Sequence, residues 1–134
     1  MIDKKSICLI DDDEVYQFLC KKTIEKSHHV KNIMIFSNGK EAIDFFSENT
    51  ANTINLPDVI FLDLDMPLMD GWQFLEEYIP LKLDIKKQII IYIVTSSSHP
   101  SDLSRAKEIS DITGYLIKPI TTENFNSIMS MFQS

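Results

Sequence analysis

The stretch VIFLDLDMPLMDG, residues 59–71, starts with four consecutive apolar residues and turns acidic at Asp63. An unbroken apolar run of this length is typical of a parallel strand buried on both faces, because a sheet wetted on one face would show alternation. Open α/β sheets bind ligands beyond the carboxyl ends of their strands. The stretch therefore predicts a buried parallel strand with a carboxylate at its tip.

Four similar apolar runs occur elsewhere, and amphipathic segments separate them. The runs cover residues 7–10, 33–36, 89–94 and 115–117. Apolar residues at helical spacing follow the five runs, in the groups Val15, Phe18 and Leu19; Ala42, Ile43 and Phe46; Trp72, Leu75 and Ile79; Leu103 and Ala106; and Phe125, Ile128, Met129 and Phe132. This alternation predicts an α/β fold, a doubly wound five-stranded parallel sheet with helices on both faces.

Length and composition indicate one ordinary globular domain. The chain has 134 residues, of which 44% are hydrophobic and 25% charged, so it can build one core but hardly two. Its net charge of -7 disfavours nucleic acid and anionic membranes as partners, since both attract basic surfaces. Acidic residues grouped at 11–14 suit a divalent cation instead.

The cysteines and the N-terminus indicate a reducing compartment. Cys8 is expected in a buried strand and Cys20 in a helix, and they lack the CxxC spacing of a disulfide framework or zinc site. Residues 1–6 are polar and charged, unlike a signal peptide, and no apolar run is long enough to cross a bilayer. We expect a cytoplasmic location.

Polar residues follow four of the five predicted strands. Asp11 and Asp12 come after the first strand, Asp63 after the third, Thr95 after the fourth and Lys118 after the fifth. Crowded carboxylates repel one another, and a hard cation such as Mg²⁺ relieves the repulsion through oxygen ligands. Asp63 could then attack phosphorus as a nucleophile, with the metal, Lys118 and the Thr95 hydroxyl neutralising the phosphoryl oxygens.

These residues resemble the receiver domains of bacterial response regulators. The motifs that carry the resemblance are IDDD at 10–13, LDLDMPLMDG at 62–71, VTS at 94–96 and YLIKP at 115–119. The resemblance covers essentially the whole chain. It implies a flavodoxin-like sheet of order 2-1-3-4-5 and a stand-alone receiver over residues 1–134 without an output domain. The function implied is that of a two-component phosphorelay.

The resemblance also implies a role for each acidic residue at the site. Asp63 would be the phosphoacceptor. Asp12 would bind Mg²⁺ directly, Asp11 largely through water, and Asp65 through its backbone carbonyl. The phosphoryl donor would be the phosphohistidine of a sensor kinase or of a histidine phosphotransfer protein. Beyond its own phosphorylation and dephosphorylation, the chain would catalyse nothing.

Switching is implied in the same way. Thr95 and Tyr115 would be the switch pair, and the Lys118–Pro119 peptide bond is expected to be cis. Phosphorylation would change partner binding through the face formed by the fourth helix, fifth strand and fifth helix. Asp65 lies beside the phosphoacceptor and Ser96 beside the switch threonine, so the resemblance does not predict the rate of dephosphorylation.

Simpler interpretations apply to some residues. Asp13 is expected to cap a helix, and Trp72, Phe125 and Phe132 to lie in the core. The three histidines, His28, His29 and His99, show no metal spacing and are expected at the surface.

Three other functions remain as alternatives. The DLD of residues 63–65 imitates the DxD motif of haloacid dehalogenase phosphatases, although that group carries it on the first strand and here it follows the third. A flavodoxin-like flavoprotein would need a phosphate loop where residues 11–14 are acidic. A pseudo-receiver that binds partners without phosphorylation would not need so complete a site.

Overall fold

The structure, a computed structural model, describes residues 4–131 as five parallel strands that alternate with five helices. The strands are β1 (Lys5–Ile10), β2 (Val30–Phe36), β3 (Val59–Leu62), β4 (Ile90–Thr95) and β5 (Ile112–Ile117). The helices are α1 (Glu14–Glu25), α2 (Gly39–Glu48), α3 (Gly71–Leu81), α4 (Pro100–Glu108) and α5 (Thr122–Ser130). The sheet order is β2-β1-β3-β4-β5, which confirms the predicted doubly wound fold.

The strand order reverses direction beside β1, and this places the ends of β1 and β3 together. The chain moves from β1 outward to β2, then returns to β3 on the other side of β1. Ile10 and Leu62, the last residues of β1 and β3, are paired across the sheet. Because the register is parallel, the residues that follow them also lie side by side. Such a switch point is where α/β sheets bind ligands.

The core consists of one apolar cluster on each face of the sheet. Alternate residues of β1 and β3 contribute to opposite clusters, as with Ile7 and Cys8. The central strands β1, β3 and β4 are almost wholly buried. The edge strands β2 and β5 are mostly half-buried. The expectation that all five strands are buried on both faces is therefore wrong for the edges, since each edge strand has a neighbour on one side only.

The apolar stripe predicted for α1 faces solvent instead of the core. Val15, Phe18 and Leu19 are 69%, 60% and 56% exposed. The buried residues of this helix are Tyr16, Cys20 and Ile24. They recur every fourth residue and form an adjacent helical face. Tyr16 and Cys20 belong to that face, and the spacing of the most apolar residues alone did not indicate it.

Smaller differences concern element boundaries. β5 begins at Ile112, ahead of the apolar run at 115–117, and includes Gly114, while α3 continues through Pro80 to Leu81. Phe125 is buried as predicted, whereas Phe132 lies outside the described residues. None of the helices within residues 4–131 is both long and apolar enough to cross a membrane.

A cationic contact joins α3 to α4. The guanidinium carbon of Arg105 lies 4.4 Å from the centroid of the Trp72 ring. The same side chain approaches Glu76, with Nη2 3.7 Å from Oε1. Trp72 is half-buried and also packs against the core. An indole face attracts a guanidinium electrostatically, so this contact ties the start of α3 to the middle of α4.

Candidate functional site

The carboxylates of Asp11, Asp12 and Asp63 gather at the carboxyl edge of the sheet. Oxygen atoms of the three side chains lie within 4.8 Å of one another. Backbone bonds extend the strands to this point: the Asp11 N–H donates to the Phe36 carbonyl at 3.0 Å and the Asp63 N–H to the Ile10 carbonyl at 2.9 Å. Asp11 and Asp63 are buried, whereas Asp12 is exposed. The structure thus brings together the carboxylates that the sequence placed at two strand tips.

Asp13 caps α1, as expected, and fixes the helix next to the carboxylates. Its Oδ1 accepts hydrogen bonds from the backbone N–H groups of Val15 at 3.0 Å and Tyr16 at 3.1 Å. The Asp13 N–H in turn donates to Asp11 Oδ1 at 2.9 Å. One oxygen of Asp11 is therefore engaged by the backbone, which leaves Oδ2 facing the site.

Lys118 reaches both buried carboxylates from the end of β5. Its Nζ lies 2.6 Å from Asp11 Oδ2 and 3.2 Å from Asp63 Oδ2. The Lys118 N–H donates to the Thr95 carbonyl at 2.9 Å, and the following bond to Pro119 is cis. The ammonium and the two carboxylates thus form one ionic cluster.

Burial determines the protonation balance of this cluster. It raises the pKa of Asp11 and of Asp63, although Lys118 acts against the shift in both. Burial alone would lower the pKa of Lys118, but the two carboxylates outweigh it and the pKa is raised. Two carboxylates facing one ammonium leave a deficit of positive charge.

That deficit fits a divalent cation. Asp11 Oδ2 is close to Lys118 but lacks hydrogen-bond geometry with any of the described residues. This oxygen is a buried acceptor that can still coordinate a metal ion. Oxygen ligands in a site of this charge are what Mg²⁺ selects. The donor set therefore fits the expected metal.

Thr95 and Tyr115 meet at Ser97, a residue that no sequence motif indicated. Thr95 is fully buried at the end of β4, and its Oγ1 accepts from the Ser97 N–H at 3.3 Å. The Tyr115 hydroxyl donates to the Ser97 carbonyl at 2.9 Å. Ser97 Oγ donates to Asp102 Oδ2 in α4 at 2.6 Å. Ser97 thus links both expected switch residues to α4. A serine in a polar loop gives no pattern that would reveal this.

The β3–α3 loop depends on Gly71. The Gly71 N–H donates to the Leu64 carbonyl at 3.0 Å, and Asp70 caps α3 through the Gln73 N–H at 2.8 Å. A Cβ atom at position 71 would lie 2.4 Å from the Asp63 carbonyl oxygen. That distance is too short for a side chain unless the backbone shifts, so this position strongly favours glycine. The loop therefore packs directly against the backbone of Asp63.

The family model described as "Response regulator receiver domain" matches residues 7–130. The chain belongs to this family. The receiver domain is 27% identical over 118 residues to the probable methanogenesis regulatory protein FilR2 of Methanothrix harundinacea, covering 88% of this chain and 74% of that protein. It matches two protein-glutamate methylesterases over only 29% and 28% of their respective lengths.

Solved structures agree with the assignment. The receiver domain is 27% identical to a two-component response regulator from Cytophaga hutchinsonii, with a TM-score of 0.86 over 97% of this chain and 98% of that one. It is 25% identical to the Mn²⁺-bound form of response regulator Rcp1, with a TM-score of 0.72 over 95% of this chain and 91% of that one. Two-component signalling is thus the function of this receiver domain, and neither the phosphatase nor the flavoprotein alternative is favoured.

Proposed function

We propose that the receiver domain accepts a phosphoryl group on Asp63 while Mg²⁺ is bound by Asp11, Asp12, Asp63 and the Asp65 backbone carbonyl. The observation that carries the proposal is the cluster of three carboxylates within 4.8 Å, faced by the Lys118 ammonium. The relative Rcp1, solved in its Mn²⁺-bound form, supports a divalent ion as a ligand of this chain.

The chain's own residues supply positioning and charge. Asp63 Oδ1 accepts the Leu64 N–H at 2.8 Å, which fixes the plane of the carboxylate. A carboxylate oxygen of Asp63 would form the new bond to phosphorus as the bond to the donor nitrogen breaks. Lys118 and the Thr95 hydroxyl would each hold one phosphoryl oxygen. Mg²⁺, when bound, would neutralise further negative charge on the phosphoryl group.

The donor is a phosphohistidine on a sensor histidine kinase or a histidine phosphotransfer protein. It must reach Asp63 past the first turns of α1, which begin directly after the carboxylates. The exposed side chains there are Val15, Phe18 and Leu19. Exposed apolar residues grouped on one helix face favour a protein contact. We place the donor on this face of α1.

The output passes through α4, β5 and α5. Added charge on Asp63 would draw the Thr95 hydroxyl inward as a donor and move its oxygen away from the Ser97 N–H, whose hydrogen bond it accepts. Because Ser97 also bonds Tyr115 and Asp102, the change would be transmitted to α4. Partner binding to this face would then depend on phosphorylation, and the domain would catalyse no reaction beyond its own phosphorylation cycle.

One experiment tests the proposal as a whole. Incubation of the chain with Mg²⁺ and a small acyl phosphate is expected to add one phosphoryl mass, on the peptide that contains Asp63. Chelation of the metal is expected to prevent it. Continuous turnover of a phosphomonoester would indicate the phosphatase alternative, and absence of label from every donor would indicate a pseudo-receiver.

Mg²⁺ itself is expected to stabilise the folded chain. A ligand that binds only the native state adds about 2.7 kcal/mol when its free concentration is roughly 100 times Kd. Asp12→Asn is expected to remove most of this gain, because the exposed Asp12 carboxylate belongs to the cluster. Thermal melts with and without Mg²⁺ measure the effect.

Glu14→Gln is the matched control for this measurement. Glu14 is an exposed acid nearby that lies outside the carboxylate cluster, so its variant should respond to Mg²⁺ like the wild type. Equal responses of Asp12→Asn and wild type would show that the ion binds elsewhere.

A further inference from the structure

We propose that Tyr16 is a positioning residue for phosphoryl transfer: its ring face holds the Lys118 ammonium beside Asp63 when a metal ion occupies the carboxylates. The inference rests on the proposed function. The juxtaposition that carries it is direct, since Lys118 Nζ lies 4.4 Å from the centroid of the Tyr16 ring.

The ring is held firmly in this place. Tyr16 is 8% exposed and belongs to the first turn of α1. Its backbone N–H is fixed by the Asp13 cap. A buried aromatic side chain has few rotamers to exchange, so its face stays directed at the ammonium.

A metal ion and the Lys118 ammonium would compete for the same two carboxylates, and this explains why a contact with the Tyr16 ring is useful. Without a metal ion, Asp11 and Asp63 attract Lys118 strongly at 2.6 and 3.2 Å. A divalent cation on the same carboxylates would share that attraction and repel the ammonium. An aromatic face is neither ionised nor a ligand for Mg²⁺, so its attraction for the ammonium persists. Tyr16 thereby keeps Lys118 within reach of the incoming phosphoryl oxygen.

The ring, and not the hydroxyl, carries this role. The Tyr16 hydroxyl lies near the Cys20 thiol and the Ile120 backbone, yet it has hydrogen-bond geometry with no described residue. Burial is the main reason that the pKa of Tyr16 is raised, so the hydroxyl stays neutral. A residue that merely filled the core could be replaced by any apolar side chain of similar size. A residue that holds the ammonium could be replaced only by another ring.

Two substitutions separate these roles. Tyr16→Phe keeps the ring and is expected to retain most of the phosphorylation rate with Mg²⁺ and an acyl phosphate. Tyr16→Leu keeps an apolar side chain but loses the ring, and is expected to slow the reaction about three- to tenfold. Ile24→Val perturbs the buried face of the same helix away from Lys118 and is the control for a general packing defect.

A second readout reports the contact itself. Lys118 ε-methylene protons above an aromatic ring resonate upfield, and this shift is expected in wild type and Tyr16→Phe but not in Tyr16→Leu. In a Lys118→Ala background, Tyr16→Leu should cause no further slowing. Tyr16→Met serves in place of Tyr16→Leu if that variant fails to fold.

Three outcomes would overturn the inference: a wild-type rate in Tyr16→Leu, equal slowing in Tyr16→Phe, or the same slowing with and without Lys118. The proposed function fails separately, if the wild-type chain takes up no phosphoryl group. In that event the ring-current shift still shows whether Tyr16 holds Lys118.

Discussion

Asp63→Asn is expected to abolish phosphoryl labelling while the chain stays folded. An amide has the shape of the carboxylate but is not a nucleophile toward phosphorus at neutral pH. Because burial raises the pKa of Asp63, the folded chain disfavours its ionised form. Removing that charge should therefore not lower the melting temperature of the metal-free chain. Intact mass after incubation with Mg²⁺ and an acyl phosphate, together with a thermal melt, measures both effects.

The neighbouring acid provides the control. Asp65 is exposed, only two residues from Asp63, and its proposed role uses the backbone carbonyl. Asp65→Asn should therefore still be labelled, although its dephosphorylation rate can differ. Label that persists in Asp63→Asn would place the acceptor on another residue and refute the proposed chemistry.

Gly71→Ala is expected to lower both stability and phosphorylation. The new methyl group would lie 2.4 Å from the Asp63 carbonyl oxygen and 3.0 Å from Leu64 Cα. These are backbone atoms, which cannot rotate away, so the loop and the strand end must separate. Overpacking of this kind costs about 2–3 kcal/mol, or roughly 5–10 °C in Tm for a chain of this size.

The effect on phosphorylation distinguishes this change from ordinary destabilisation. At a temperature where Gly71→Ala is still folded, its labelling rate should remain below that of wild type because Asp63 is displaced. Glu77→Ala, an exposed position on the same helix, should change neither quantity. Full labelling at an unchanged Tm would mean that the loop can move without disturbing Asp63.

The site was largely predictable because its residues stand at strand ends. An unbroken apolar run identifies a strand of the parallel sheet, and the polar residue that ends it must lie at the carboxyl edge. Asp11 and Asp63 are therefore adjacent as soon as β1 and β3 are paired. Lys118 follows by the same reasoning from β5.

What the sequence could not give is which face of a helix packs on the sheet. In α1, two adjacent stripes are apolar, and the more aliphatic one is exposed. Only the packing of the helix on the sheet selects Tyr16, and with it the contact to Lys118. Ser97 was missed for a different reason: it bonds Thr95 and Tyr115 through backbone atoms, and its side chain reaches Asp102 only because of the local turn geometry, which residue type does not encode.

The contact between Trp72 and Arg105 gives the chain a built-in optical reporter. Trp72 is the single tryptophan of the sequence, and the charge stacked on its indole ring belongs to α4. Any displacement of α4 would change the electric field at that ring, and with it the wavelength and quenching of its emission. Signalling in this receiver could thus be followed by intrinsic fluorescence, without an attached dye.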